Sequence, residues 1–301
     1  MEKTSKTPIR DQAVRDFIHS RNSASTKASY EAILIECWAY IGAKELSRIT
    51  FSDLAAFKDS LTRLHPNTIH MYTVVLRCFF NFCVELDLIA KSPAAKLKSP
   101  KVQRRPPTFL TEDEATRLLI SPDRNTLYGK RDYAVLALLL GTGVRLNEIT
   151  QVRFADFFVD DHRDIFLNIL RGKGDKPRRV KVPAEVFAAV QEFATAVCKY
   201  KPLEPRGMPL CLRLHGYLSW VEGDIPIVRL SRRQVQSIVS EAAKRAGIQK
   251  NVSPHMLRHT CFTLEMINGA SILEIQEQAG HGYLGTTQKY LHLVDSMKHN
   301  A

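Results

Sequence analysis

The sequence predicts a mainly α-helical protein of two domains, the second of which carries a small antiparallel β-sheet. Three observations predict it. Apolar residues recur at helical spacing up to Val84, with no convincing strand-like alternation. A stretch rich in Pro, Lys and Arg, from Lys91 to Pro107, then interrupts every hydrophobic period. Beyond it the helical pattern returns, broken by strand-like runs at 165–170 and 179–182 that flank a Gly-Lys-Gly turn. The expected division is a helical domain over 1–91, a basic linker over 92–108 and an α+β domain over 109–301.

In the first domain, a short helix is expected from Ile9 to His19, with Val14, Phe17 and Ile18 on one face. Ser25 or Thr26 is placed to cap a longer helix through Tyr30, Leu34, Cys37 and Ile41, which Gly42 ends. Thr50 with Asp53 opens a third helix containing Leu54, Phe57 and Leu61. Asn67 opens a fourth, carrying Tyr72, Leu76, Phe79 and Phe80. Arg21, Lys27, Lys44, Lys58, Arg63, His70 and Arg77 fall on polar faces, where solvation and contact with DNA are equally good readings. The linker that follows holds Lys96, Lys98, Lys101, Arg104 and Arg105 among prolines; such a stretch serves either as a plain connection or, the favoured reading between two basic domains, to lie along a phosphate backbone.

In the second domain, Thr111 and Glu114 form a capping box. The apolar run after Asp132, through Leu140, predicts a central buried helix ending at Gly141-Thr142-Gly143. Arg145 follows at once, and Leu146 to Val152 suits a short helix that includes Glu148. The acidic stretch 160–164 reads as a turn before strand 165–170. Residues 171–176 form the hairpin turn, presenting Lys173 and Lys176, and 179–182 return. Pro183 leads into another helix. Residues 199–230 are hard to read, with 217–220 and 225–228 as possible short strands. Ser231 and Gln234 box a helix to Ala246, whose first turn carries Arg232 and Arg233, for which a helix end entering a DNA groove and an ordinary charged helix start are equally good readings. Ser253 and Pro254 start a helix that sets His255 and Arg258 on one face. Ser271 and Glu274 box the next, which Gly280 ends just before His281. Thr286 or Thr287 caps a last helix bearing Tyr290.

The 301 residues carry a net charge of +12, which favours a polyanionic partner, most often nucleic acid. The six cysteines form no C-x-x-C pair and sit in apolar runs, as buried free thiols of a reducing compartment do. No apolar run is long enough to cross a membrane and the N-terminus has no signal-peptide core, so a cytoplasmic protein is expected.

Cations gathered around a tyrosine suggest chemistry on a phosphodiester. Arginine's planar, permanently charged fork matches phosphate oxygens, which nominates Arg145 and Arg258. Lys173 on a hairpin tip is placed to protonate a leaving oxygen, with Lys176 as its rival. His255 and His281 are placed to donate to phosphate oxygens or to accept the proton of Tyr290. His255, His259 and Cys261 match no standard zinc spacing, so neither a metal nor any other cofactor is expected.

Four stretches make the resemblance specific: Thr-Gly-Val-Arg-Leu-Asn-Glu-Ile at 142–149, Gly-Lys-Gly-Asp-Lys at 172–176, Ser-Pro-His-Met-Leu-Arg-His at 253–259, and 280–292 with its Gly-His step and Tyr290. The sequence resembles the tyrosine recombinases, the phage-integrase family, and is nearest in texture to the bacterial Xer group. The resemblance covers the second domain, and the helical first domain is similar to the family's core-binding domain. It implies that Arg145, Lys173, His255, Arg258, His281 and Tyr290 are catalytic, with Glu148 in the supporting acidic position. It further implies attack by Tyr290 on DNA, a 3′-phosphotyrosyl intermediate and exchange through a Holliday junction. A homotetramer on two specific duplex sites follows, with a second recombinase or an accessory protein as a further possible partner. The usual apolar pair before the Gly-His step is Gln278-Ala279 here, a change of packing more than of chemistry. The first helix begins about ten residues from Met1, so a short, simple site without an arm-binding domain is expected. The competing readings are a type IB topoisomerase and a non-catalytic DNA-binding protein on the same scaffold.

Overall fold

The computed structural model describes residues 9–101, 108–170, 177–200, 207–214 and 228–280, together with Gly285, Thr287, Gln288, Tyr290 and Leu291. Lys173, Lys176, Arg104, Arg105, His281 and the strands expected at 217–220 and 225–227 lie outside the described residues. The chain divides into two compact units, residues 1–105 and 106–301.

The first unit is built from α1 (Ile9–His19), α2 (Ala24–Ile41), α3 (Phe51–Ser60) and α4 (Pro66–Glu85), with a 3-10 turn at Leu46–Arg48. Phe17, Leu34, Leu54, Phe57, Phe79 and Phe80 are fully buried at its centre. Phe79 meets Phe17 edge-on at 5.4 Å and Phe80 at 5.2 Å, geometries that aromatic quadrupoles favour. The Thr50–Asp53 capping box is present. Two helix starts differ from expectation. α2 is capped by Ser23, whose extended backbone begins the turn, so Ser25 and Thr26 fall inside the helix. α4 begins at Pro66, whose missing N–H is harmless at that position, and the Nδ1 of His65 accepts from the Asn67 N–H at 3.2 Å.

The linker also differs over its first part. Ala94 and Leu97 are buried in the first unit's core, and Arg77 donates to the Leu97 carbonyl. Residues up to Leu97 therefore pack on the helices, and Arg77 is a structural tie. Lys96, Lys98 and Lys101 remain exposed.

The second unit is organised around α6 (Leu127–Thr142), in which every residue from Ala134 to Leu139 is buried. Against it pack α5 (Glu112–Ile120), α8 (Ala184–Tyr200), α9 (Arg232–Arg245) and α10 (Pro254–Ile267). α7 (Leu146–Ile149) is a single turn, shorter than expected, and α11 (Ile272–Ala279) lies beside α10. The sheet is antiparallel, in the order β1 (Phe157–Val159), β2 (Ile165–Ile169), β3 (Arg178–Lys181). Leu167 of β2 pairs with Phe157 on one side and Val180 on the other. β1 was not expected, because three residues are too few to show a period. The acidic turn that joins it to β2 closes as the Asp160 carboxylate accepts from the backbone N–H groups of His162 and Asp164. Among the described residues, no helix is long and apolar enough to cross a membrane.

Candidate active site

The site begins where α6 ends. Gly143 takes the left-handed conformation, φ 59°, and its N–H bonds to the Leu139 carbonyl. That turn delivers Arg145 to the start of α7, where its backbone N–H donates to Glu148 Oε2 at 2.8 Å and its Nη1 to Glu148 Oε1 at 2.9 Å. A Cβ at position 143 would lie 2.5 Å from the Phe262 ring. Gly143→Ala therefore meets two penalties, one of backbone and one of space, and is expected to destabilise the protein by about 1–3 kcal/mol. Urea denaturation checks this, and an unchanged midpoint would mean that the ring moves aside freely.

α10 supplies the next groups. Ser253 caps it, accepting from the Met256 N–H at 3.2 Å, with Pro254 at the first position. Arg258 is buried and ties two helix ends together: Nη1 donates to the Gly143 carbonyl and Nη2 to the Ala279 carbonyl, the latter at 2.7 Å. Its guanidinium lies over the Phe262 ring at 4.7 Å. Burial, reinforced by the charge of Arg145, lowers its pKa to about 10, so it stays cationic at neutral pH. His255, one helical turn earlier, reaches solvent, yet burial of its ring and the charges of Arg258 and Arg145 hold its pKa below the usual range. A histidine so placed is mostly neutral at pH 7 and is able to accept a proton.

Glu148 is the carboxylate at the centre. It is buried, and Arg178 of β3 grips it with two parallel bonds, Nη1 to Oε1 at 2.7 Å and Nη2 to Oε2 at 2.8 Å. Burial alone would raise its pKa, but the bonds from Arg178 and Arg145 outweigh that and hold it at about 2. Two guanidinium groups thus grip one carboxylate, and the Arg258 guanidinium is near enough to feel its charge. The surplus of positive charge suits an anion.

Tyr290 is 3% exposed, inside a small apolar cluster with Cys261, Phe262, Met266, Ile275 and Ala279. Its N–H bonds to the Thr287 carbonyl at 2.9 Å, and its hydroxyl lies 2.8 Å from Nδ1 of His259. Burial pushes its pKa up to about 12, against the pull of Arg258 and Arg145.

The structure brings Arg145, Glu148, His255, Arg258 and Tyr290 into one neighbourhood. Arg232 and Arg233 are exposed on the first turn of α9, and Arg232 Nη1 lies 3.4 Å from Asn147 Oδ1 on α7. Sequence reasoning missed two residues. His259 was weighed only as a zinc ligand, although it stands four residues after His255 and so shares its helix face. Arg178 had one available signal, its place two residues before the buried Val180 and hence on the inward face of the strand. Among the described residues, no group of His, Cys, Asp and Glu side chains is arranged to hold a metal ion.

Comparison with known proteins places the chain among relatives. The phage integrase family profile matches residues 108–297. The tyrosine recombinase XerD of Staphylococcus saprophyticus is 27% identical over 281 residues, 91% of this chain and 90% of that protein. The XerH site-specific recombinase, in a post-cleavage complex with its palindromic difH substrate, superposes with a TM-score of 0.70 at 22% identity, over 89% of this chain and 76% of that one. A lambda integrase dimer on a core site also gives 0.70, at 15% identity and over 93% of each chain.

Proposed function

The chain belongs to the phage integrase family and is a tyrosine recombinase, an enzyme that breaks and rejoins DNA strands; from that premise we propose that Tyr290 is its nucleophile and the arginine cluster its phosphate site. The observation that carries this reading is the convergence of Arg145 and Arg258 on the buried tyrosine, both near enough to pull its pKa downward. Tyr290 Oη attacks a backbone phosphorus, forms a 3′-phosphotyrosyl bond and releases a 5′ oxygen. That oxygen takes its proton from Lys173 or Lys176 on the hairpin, and the tyrosine proton passes to a neighbouring histidine: His255, His259 or His281. A 5′-hydroxyl of the partner strand then attacks the phosphotyrosine and restores the enzyme. Bond energy is kept throughout, so neither ATP nor metal enters the balance. Arg145 and Arg258 neutralise the charge that develops on the non-bridging oxygens, typically the largest catalytic effect in such a site.

The partner is duplex DNA carrying a specific site, bound by four copies of the chain on two sites, with a second recombinase or an accessory protein as a further partner. Lys96, Lys98, Lys101, Arg104 and Arg105 follow the phosphate backbone, and Arg232 and Arg233 enter a groove. The test has two steps: select the bound site from a random duplex library, then present it with a nick beside the scissile phosphate so that the freed strand is lost. A covalent protein–DNA adduct is expected, unchanged by EDTA and falling as salt rises. No adduct at any nick position, or one formed only with added metal, would overturn the reading.

A further inference from the structure

Arg178 sits at the start of β3, five residues past Lys173, and its side chain is only 12% exposed. It makes three kinds of contact at once. Its fork occupies both oxygens of Glu148. Its Nε donates to the Gln278 carbonyl, near the C-terminal end of α11, at 3.2 Å. Its aliphatic stem runs beneath Gly280, where a Cβ would lie 2.8 Å from Arg178 Cδ. Gly280 is also left-handed, φ 60°, and its carbonyl accepts from Arg145 Nη2 at 3.1 Å. Arg145 is therefore held from two sides, by Glu148 and by Gly280, and Arg178 touches both supports.

We propose that Arg178 is a positioning residue for DNA cleavage, aiming Arg145 at the scissile phosphate through Glu148 and Gly280. This rests on the assignment of Arg145 to the phosphate site. The geometry explains why a third arginine is needed. An arginine beside an unshared carboxylate closes onto it with two parallel bonds, its best geometry. Arg178 takes the paired geometry on Glu148 and leaves Arg145 one bond from Nη1, with the second arm of its fork on the Gly280 carbonyl. The remaining N–H groups of Arg145 have no partner among the described residues, and its side chain is 23% exposed, so the fork stays reachable by an anion. Without Arg178, Glu148 would capture Arg145 completely and draw it away from the DNA. The same residue keys strand β3 to Gly280 at the end of α11.

The test measures single-turnover adduct formation at saturating protein, on the selected nicked site with either a normal phosphate or an uncharged methylphosphonate at the scissile position. Arg178→Met is expected to slow cleavage of the phosphate about 100-fold, the scale of an ångström-sized misplacement of a catalytic group, with DNA affinity within about threefold of the parent. On the methylphosphonate the loss is expected to shrink to about tenfold or less, because the cation being aimed has less charge to neutralise there. Arg178→Lys keeps the charge and loses the fork, so it is expected to remain slow on phosphate. Equal losses on the two substrates would make Arg178 merely structural and overturn the proposal. So would a full rate in Arg178→Lys, which also decides the matter if Arg178→Met does not fold. A parent protein that forms no Tyr290-linked adduct would instead overturn the function itself.

Discussion

Tyr290→Phe is expected to bind the selected site as tightly as the parent and to form no covalent adduct with it. The substitution removes one oxygen and nothing else. The ring keeps its edge-on contact with Phe262, centroids 5.7 Å apart, and its place among Ile275, Met266 and Ala279. Stability is expected to fall by about 1 kcal/mol, the usual net worth of the hydrogen bond lost to His259. The chemical loss is expected to be total, because the oxygen removed is the one that attacks the phosphorus. The phenol has a pKa near 12, so only a minute fraction is ionised at neutral pH. Attack and proton loss must therefore coincide, under the influence of Arg258 and Arg145 and with a histidine to take the proton. Denaturing electrophoresis reads the adduct and a mobility shift reads binding. An adduct of normal yield in the phenylalanine variant would place the nucleophile elsewhere in the chain.

What the sequence made legible is what depends on near neighbours. The capping boxes at Thr50, Thr111, Ser231 and Ser271 all form, because each needs only two residues three apart. The apolar run in α6 shows that it is buried whatever surrounds it. The starts of α2 and α4 moved by about two residues because backbone conformation at Ser23, and the tolerance of proline at Pro66, decided them ahead of the better side-chain cap. At the site, residue identities were legible as a motif, while their attachments were not. Arg258 finds its partners in the carbonyls of Gly143 and Ala279, and backbone carbonyls carry no signature in the sequence. The pairing of His259 with Tyr290 spans two helical segments, a contact that no local spacing announces. Arg178 falls just outside the strand expected at 179–182, and only the register of β3 against β2 turns it toward Glu148.

Arg258→Ala is expected to lose both activity and stability, and the two losses have separate causes. Removing a phosphate-neutralising arginine costs on the order of 10³-fold or more in rate. Removing the guanidinium also leaves the Gly143 and Ala279 carbonyls unpaired in the interior and opens space above Phe262. Each orphaned carbonyl costs about 1–3 kcal/mol, so a loss of about 3 kcal/mol or more is expected on urea denaturation. Arg145 is the contrast. It is partly exposed, and Arg178 remains to hold Glu148 when it is gone, so Arg145→Ala is expected to cut the rate comparably with a smaller loss of stability. Arg258→Lys divides the effects within one position. A single ammonium keeps the charge but cannot easily hold the Gly143 and Ala279 carbonyls as the planar fork does, so the ends of α6 and α11 lose their common tie. If the lysine variant cleaves the nicked site within tenfold of the parent, charge alone suffices and the tie is incidental. If it cleaves as poorly as the alanine variant while remaining folded, the rigid junction of the two helix ends is itself what places the positive charge against the phosphate.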